Sequence, residues 1–226
     1  MKKGLNLPGL APAPIHLKVC GLTRPDNALD CVAAGAQIIG LVFHDASPRN
    51  VSRDQAREIT RILPQGVPAW GVFVDKSYEF IMERVALCHL DAVQLHGKES
   101  PELASRLKGE GLGVIKALFG ARAPGFETAH TFSDADAILV EYGKGNLPGG
   151  NAESWDYRRA TGLTGQQPLV LAGGLTPENI ATALAQARPA AVDVSSGVES
   201  NFGIKNPDRV NTLARAIQAF TSQYPS

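Results

Sequence analysis

The chain has no C-x-x-C pair and too few cysteines for a disulfide framework. Cys20, Cys31 and Cys88 are an odd count at unrelated spacings, which also excludes the common zinc motifs. A reducing, cytoplasmic setting is the expectation. Charge of one sign is not in excess either: 22 Lys and Arg balance 22 Asp and Glu. Neither nucleic acid nor a membrane surface is therefore an expected partner, and an anionic small molecule would have to be met by local positive charge. No apolar run approaches the roughly 20 residues of a membrane span. Met1–Pro14 is broken by proline too often to be the apolar core of a signal peptide. Residues 1–15 read as a flexible leader, and 16–226 as one domain.

What is present is a regular alternation. The chain has 226 residues, 44% hydrophobic and 19% charged, ordinary for a packed globule. Short apolar runs expected as strands fall at 17–20, 38–43, 69–74, 92–95, 113–117, 137–140, 168–171 and 191–194. Near-continuous apolar runs such as Ile38–Phe43 suit parallel strands covered on both faces. Between them lie helical intervals. Pro25 suits a first helical turn, with Leu29, Val32, Ala33 and Ala36 as its apolar stripe, and Ser52 suits an N-cap. The short piece around Phe126–Phe132 is expected as the fifth helix, and the longest loop runs from Glu141 to Ser154. Eight such repeats of roughly 28 residues predict a single-domain (β/α)8 TIM barrel. The rival, an open doubly wound sheet, would carry a glycine-rich dinucleotide turn after its first strand, and Cys20-Gly-Leu-Thr23 lacks the GxGxxG spacing.

In a barrel the loops after the strands form the reactive face, with phosphate commonly held on loops seven and eight. Gly173-Gly174 and Ser195-Ser196-Gly197 fall there and could offer backbone N–H groups to a phosphate; taken singly, each is also an ordinary tight turn. Cys20 ends the first strand, where it either fills space, as free cysteines commonly do, or serves as a base. Glu141 closes the sixth strand as a solvated carboxylate or as the acid partner of that base. Asp193 has the opposite parity to Val192 and Val194 and should face the barrel interior, as a structural anchor or a ligand for substrate hydroxyls. Gln94 and His96 share one parity and should also point inward, the histidine as a hydrogen-bonded supporting residue or a proton carrier. Arg49 is either a surface arginine or a fork for a substrate carboxylate. Cys31 and Cys88 read as core.

Several of these stretches carry a family resemblance. Lys18-Val-Cys-Gly-Leu-Thr23, Gly40-Leu-Val-Phe43 leading to Ser47-Pro-Arg-Asn-Val-Ser52, Gly71-Val-Phe-Val74, Val93-Gln-Leu-His-Gly97, Leu171-Ala-Gly-Gly-Leu175 and Asp193-Val-Ser-Ser-Gly-Val-Glu199, in that order, resemble phosphoribosylanthranilate isomerase of tryptophan biosynthesis. The resemblance runs from Lys18 to the last helix. It implies a (β/α)8 fold without cofactor or metal, a phosphorylated small-molecule substrate, a monomer or homodimer, and an Amadori rearrangement of N-(5-phosphoribosyl)anthranilate. It also implies Cys20 as general base, Arg49 on the anthranilate moiety, and the glycines and serines of loops seven and eight on the phosphate. The sequence departs from the family pattern in three places. Strand six ends Leu139-Val-Glu141 where the family has an aspartate as general acid. Gly149-Gly-Asn-Ala-Glu-Ser-Trp-Asp-Tyr157 lacks a threonine and a third glycine, and Asn206 stands where aspartate is common. A related phosphosugar amine as substrate, or a catalytically silent phosphate-binding barrel, are the alternative readings.

Overall fold

Eight parallel strands close on themselves: β1 His16–Cys20, β2 Ile38–Phe43, β3 Ala69–Phe73, β4 Ala92–Leu95, β5 Gly113–Phe119, β6 Ala137–Glu141, β7 Leu169–Leu171 and β8 Ala191–Val194, with β8 pairing back onto β1. The computed structural model describes residues 15–143, 154–165 and 167–224. The expected leader at Met1–Pro14 and most of the altered sixth loop, residues 144–153, lie outside the described residues.

The period-two alternation of each strand divides the core. Outward residues such as Val19, Ile39, Leu41, Val93, Val114, Leu118 and Ile138 pack beneath the helices, whereas Ile38, Trp70, Ala92, Ile115, Ala117, Phe119, Leu139 and Val170 fill the barrel interior. Near the upper end the interior phase turns polar. That change supplies the side chains of the mouth.

The helices start where the sequence provides caps. Ser52 forms a capping box with Gln55 ahead of α2 (Arg53–Ile62), and Ser77 and Ser100 cap α3 (Tyr78–Cys88) and α4 (Pro101–Gly109). Before α6 (Pro207–Gln223) the side-chain oxygen of Asn206 accepts from the amides of Asp208 and Arg209, so asparagine here does the work of a capping carboxylate. Among the described residues the two remaining α-helices are α1 (Pro25–Ala33) and α5 (Ile180–Ala187).

Three expectations are corrected. The interval after β5 is a 3-10 helix, Phe126–Phe132, because Thr128 and Thr131 turn their hydroxyls onto the carbonyls of Gly125 and Thr128 and favour tight local turns. Between β6 and β7 the described residues hold only the 3-10 turn Tyr157–Ala160. On α1 the buried face is Asn27, Ala28 and Cys31, with Leu29 exposed, because Asn27 is drawn inward by two hydrogen bonds to the Lys205 backbone, at 2.8 and 2.7 Å. That backbone belongs to a feature the periodicity did not indicate, a hairpin of β9 (Glu199–Asn201) and β10 (Ile204–Lys205) that turns through Gly203 at φ 75°.

Candidate active site

Cys20, Arg49, Gln94, His96, Glu141, Gly173, Gly174, Asp193, Ser195, Ser196 and Gly197 all line one cleft at the carboxyl end of the strands, enclosing about 700 Å³ with its open mouth included. Strand parity brings them there. Cys20, Gln94, Glu141 and Asp193 continue the inward phase of β1, β4, β6 and β8, and His96 follows two residues after Gln94. β6 extends one residue further than the apolar pattern indicates, so Glu141 is the last residue of a rigid strand.

At one wall, Cys20 is 8% exposed and sits above an ion pair between Lys18 Nζ and Asp193 Oδ2, 2.8 Å apart. Lys18 and Asp193 are register partners across β1 and β8. Asp193 anchors Lys18 through Oδ2, while its Oδ1 is buried and has no hydrogen-bond partner among the described residues. Burial pushes the Cys20 thiol up from its ordinary range. The charge and hydrogen bond of Lys18 oppose that, Asp193 adds to it, and the ammonium of Lys205 pulls down again.

On the opposite side, Nε2 of His96 lies 3.3 Å from Oε1 of Glu141, and Nδ1 of the same ring is 3.0 Å from the amide nitrogen of Gln94. With the Gln94 amide donating to Nδ1, the proton of His96 is on Nε2 and points at Glu141. All three side chains are buried. The histidine thus bridges Gln94 and Glu141. Beside them the Arg122 guanidinium lies over the Phe119 ring, 3.3 Å from its centroid, and Phe119 is the register partner of Glu141. Arg122 was not singled out from the sequence. Burial lowers its pKa, which the negative charge of Glu141 partly offsets.

Arg49 is buried, which removes the surface alternative, and its fork is partly occupied. Nε and Nη2 each donate to a separate oxygen of Glu199, both at 2.7 Å. Glu199 in turn accepts from Lys205 Nζ at 2.6 Å. Burial would raise the Glu199 carboxyl, but Arg49 and Lys205 outweigh it and hold the group below the usual carboxylate range. This network organises the site from beneath, and composition gave no sign of it. The placement of Glu199 and Lys205 on a hairpin folded back toward β1 appears only in three dimensions.

The two glycine-bearing loops face the cleft together. Gly173 and Gly174 have φ of 88° and 65°, conformations glycine adopts freely. A Cβ on Gly197 would come 1.9 Å from the Leu175 carbonyl, so the loops after β7 and β8 touch where only glycine fits. The amides of Gly173, Gly174, Ser196 and Gly197 have no backbone acceptor among the described residues. The Ser195 hydroxyl donates to the Cys20 carbonyl at 3.0 Å and accepts from Lys205, tying loop eight to β1. The remainder of the sixth loop supports loop seven, with the Trp155 indole N–H donating to Ala172 O and the Tyr157 hydroxyl to Gly173 O. Cys31 and Cys88 are core, the Cys31 thiol pushed up to about 12 by burial. Among the described residues no group of three or more His, Cys, Asp or Glu side chains could hold a metal, and no helix is long and apolar enough to cross a membrane.

A closed barrel with a thiol, a carboxyl group and two glycine-bearing loops at one mouth belongs to the class of (β/α)8 enzymes. The family model described as N-(5'-phosphoribosyl)anthranilate isomerase matches residues 17–216. A relative of that name from Desulfatibacillum aliphaticivorans is 50% identical over 196 residues, 87% of this chain and 89% of its own. The crystal structure of phosphoribosyl anthranilate isomerase from Thermotoga maritima superposes with a TM-score of 0.82 at 35% identity, covering 91% of this chain and all of that one. A further structure of such an isomerase, in complex with reduced 1-(o-carboxyphenylamino)-1-deoxyribulose 5-phosphate, has a TM-score of 0.77 at 34% identity, with 91% of this chain and all of that one covered. The chain belongs to the N-(5'-phosphoribosyl)anthranilate isomerase family and is an isomerase.

Proposed function

We propose that this enzyme converts N-(5-phosphoribosyl)anthranilate to 1-(2-carboxyphenylamino)-1-deoxyribulose 5-phosphate, an Amadori rearrangement in tryptophan biosynthesis, with Cys20 as general base and Glu141 as general acid. The observation that carries the reading is that these two groups end β1 and β6 and line one cleft together with the two glycine-bearing loops. A phosphate on the amides of Gly173, Gly174, Ser196 and Gly197 would leave the sugar spanning acid and base.

Glu141, held by His96, gives its proton to the furanose oxygen. The C1–O bond breaks as the nitrogen lone pair forms a C=N bond. The Cys20 thiolate then takes the proton from C2, the C2–H electrons become the C1=C2 bond, and the C=N electrons return to nitrogen. The resulting enolamine loses its C2 hydroxyl proton and gains one at C1, giving the ketone. General acid and base steps of this kind contribute about 10²–10⁴-fold each. The unpartnered Oδ1 of Asp193 and Oε1 of Gln94 suit the sugar hydroxyls, and the donors of Arg49 not held by Glu199 suit the anthranilate carboxylate.

The test is turnover of N-(5-phosphoribosyl)anthranilate by the purified protein, followed by loss of substrate fluorescence, with Cys20→Ala as control. Turnover by the parent and none by the control is expected. A folded, inactive parent would overturn the reading.

A further inference from the structure

Lys18 takes no part in the steps above, yet it is completely buried and projects into the barrel interior beneath the mouth, where the neighbouring strands place apolar side chains. Burying an ammonium costs several kcal/mol before compensation. Asp193 compensates its charge on the β8 side. On the β2 side Lys18 pairs with Ile38 and Cys20 with Gly40, and a Cβ built on Gly40 would lie 2.7 Å from Cys20 Sγ and 2.9 Å from Lys18 Nζ. Sulfur and ammonium therefore share the pocket left by one missing side chain, close enough for each to act on the other's ionisation.

We propose that Lys18 is the counterion of the Cys20 thiolate, a positioning residue that makes the thiol usable as a base. The proposal rests on the reading of Cys20 as the general base. The charged groups facing the sulfur are Lys18 on its own strand, Asp193 on β8 and Lys205 on β10, while β2 presents only Gly40. Lys205 is not equivalent to Lys18: its nitrogen is held by Glu199 and by the carbonyl and hydroxyl of Ser195. Lys18 stays protonated throughout. Burial acts to lower its pKa, but Asp193 and Cys20 together hold it above the usual lysine range. Lys18 therefore does not compete for the C2 proton, which goes to sulfur. Its ammonium keeps the thiolate from standing as an isolated charge in a closed space, and Asp193 keeps the ammonium in place. Gly40 belongs to the same device, because any larger residue would push sulfur and nitrogen apart.

The test is the pH dependence of Cys20 alkylation by iodoacetamide, read by peptide mass spectrometry without turnover. In Lys18→Met the midpoint should rise by about one unit or more, a roughly tenfold slower reaction at neutral pH. The acid limb of kcat should move with it, and activity should recover as pH is raised, which a merely structural lesion would not give. Because Lys18→Met strands a buried carboxylate, Lys18→Met with Asp193→Asn removes both charges at nearly constant volume, and its midpoint should also lie above the parent's. An unchanged midpoint in the folded variants would overturn the proposal, whatever their activity. Turnover surviving in Cys20→Ala would instead overturn the reading of Cys20 as base.

Discussion

His96 stands 3.3 Å from Glu141 through Nε2 and 3.0 Å from Gln94 through Nδ1, so a residue on β4 fixes which tautomer faces the carboxyl group of β6. Glu141→Gln keeps the shape without the proton, and kcat should fall by about 10²–10⁴-fold. His96→Asn should lower kcat by a smaller factor with little change in KM. Steady-state kinetics on both variants checks this, and a parental kcat in His96→Asn would remove the histidine from the acid's support.

The pH profile should be governed by a thiol ionising above its ordinary range. Burial raises the Cys20 pKa, so the thiolate fraction is small at neutral pH and grows as pH rises. The acid limb of kcat/KM should therefore still be climbing at about pH 8.5, the ordinary thiol value. A profile already flat at pH 7 would contradict it.

Gly197→Ala tests the contact between the two glycine-bearing loops. Its methyl would meet the Leu175 carbonyl at 1.9 Å, and because that neighbour is backbone, one loop has to move. We expect a loss of about 1–3 kcal/mol in chemical denaturation, typical of overpacking, together with weaker inhibition by inorganic phosphate. Parental phosphate inhibition would detach Gly197 from the phosphate site.

Acid stability should depend on Glu199. Its folded pKa lies below its unfolded value, so its contribution is fully present above about pH 4.3 and is lost as pH falls through the folded value. Glu199→Gln should be less stable than the parent near neutral pH, and the gap should narrow below about pH 4.3. Thermal melts across that range measure it. A constant gap would show that the carboxylate's charge is not what binds the hairpin to Arg49.

The barrel was legible in the chain because its cause is local and repeated. Apolar runs such as Ile38–Phe43, alternating with capped helices, have few ways to close other than as parallel strands under helices. The gathering of Cys20, Glu141 and the glycines of loops seven and eight at one cleft was equally legible, since the strand ends of this fold share one face. Side-chain parity foretold that Gln94 and Asp193 would point inward. What sequence could not supply were pairings across long separations. Arg49 meets Glu199, Lys18 meets Asp193, and Asn27 holds the backbone of Lys205, each more than 140 positions apart. Those pairings depend on barrel closure, which brings β8 and its hairpin beside β1. The sequence by itself determined the class of fold and the ends of the strands where chemistry can occur. Only the tertiary structure decided which charges face one another there, because Coulomb energies and hydrogen bonds depend on separations of a few ångströms that chain order does not encode.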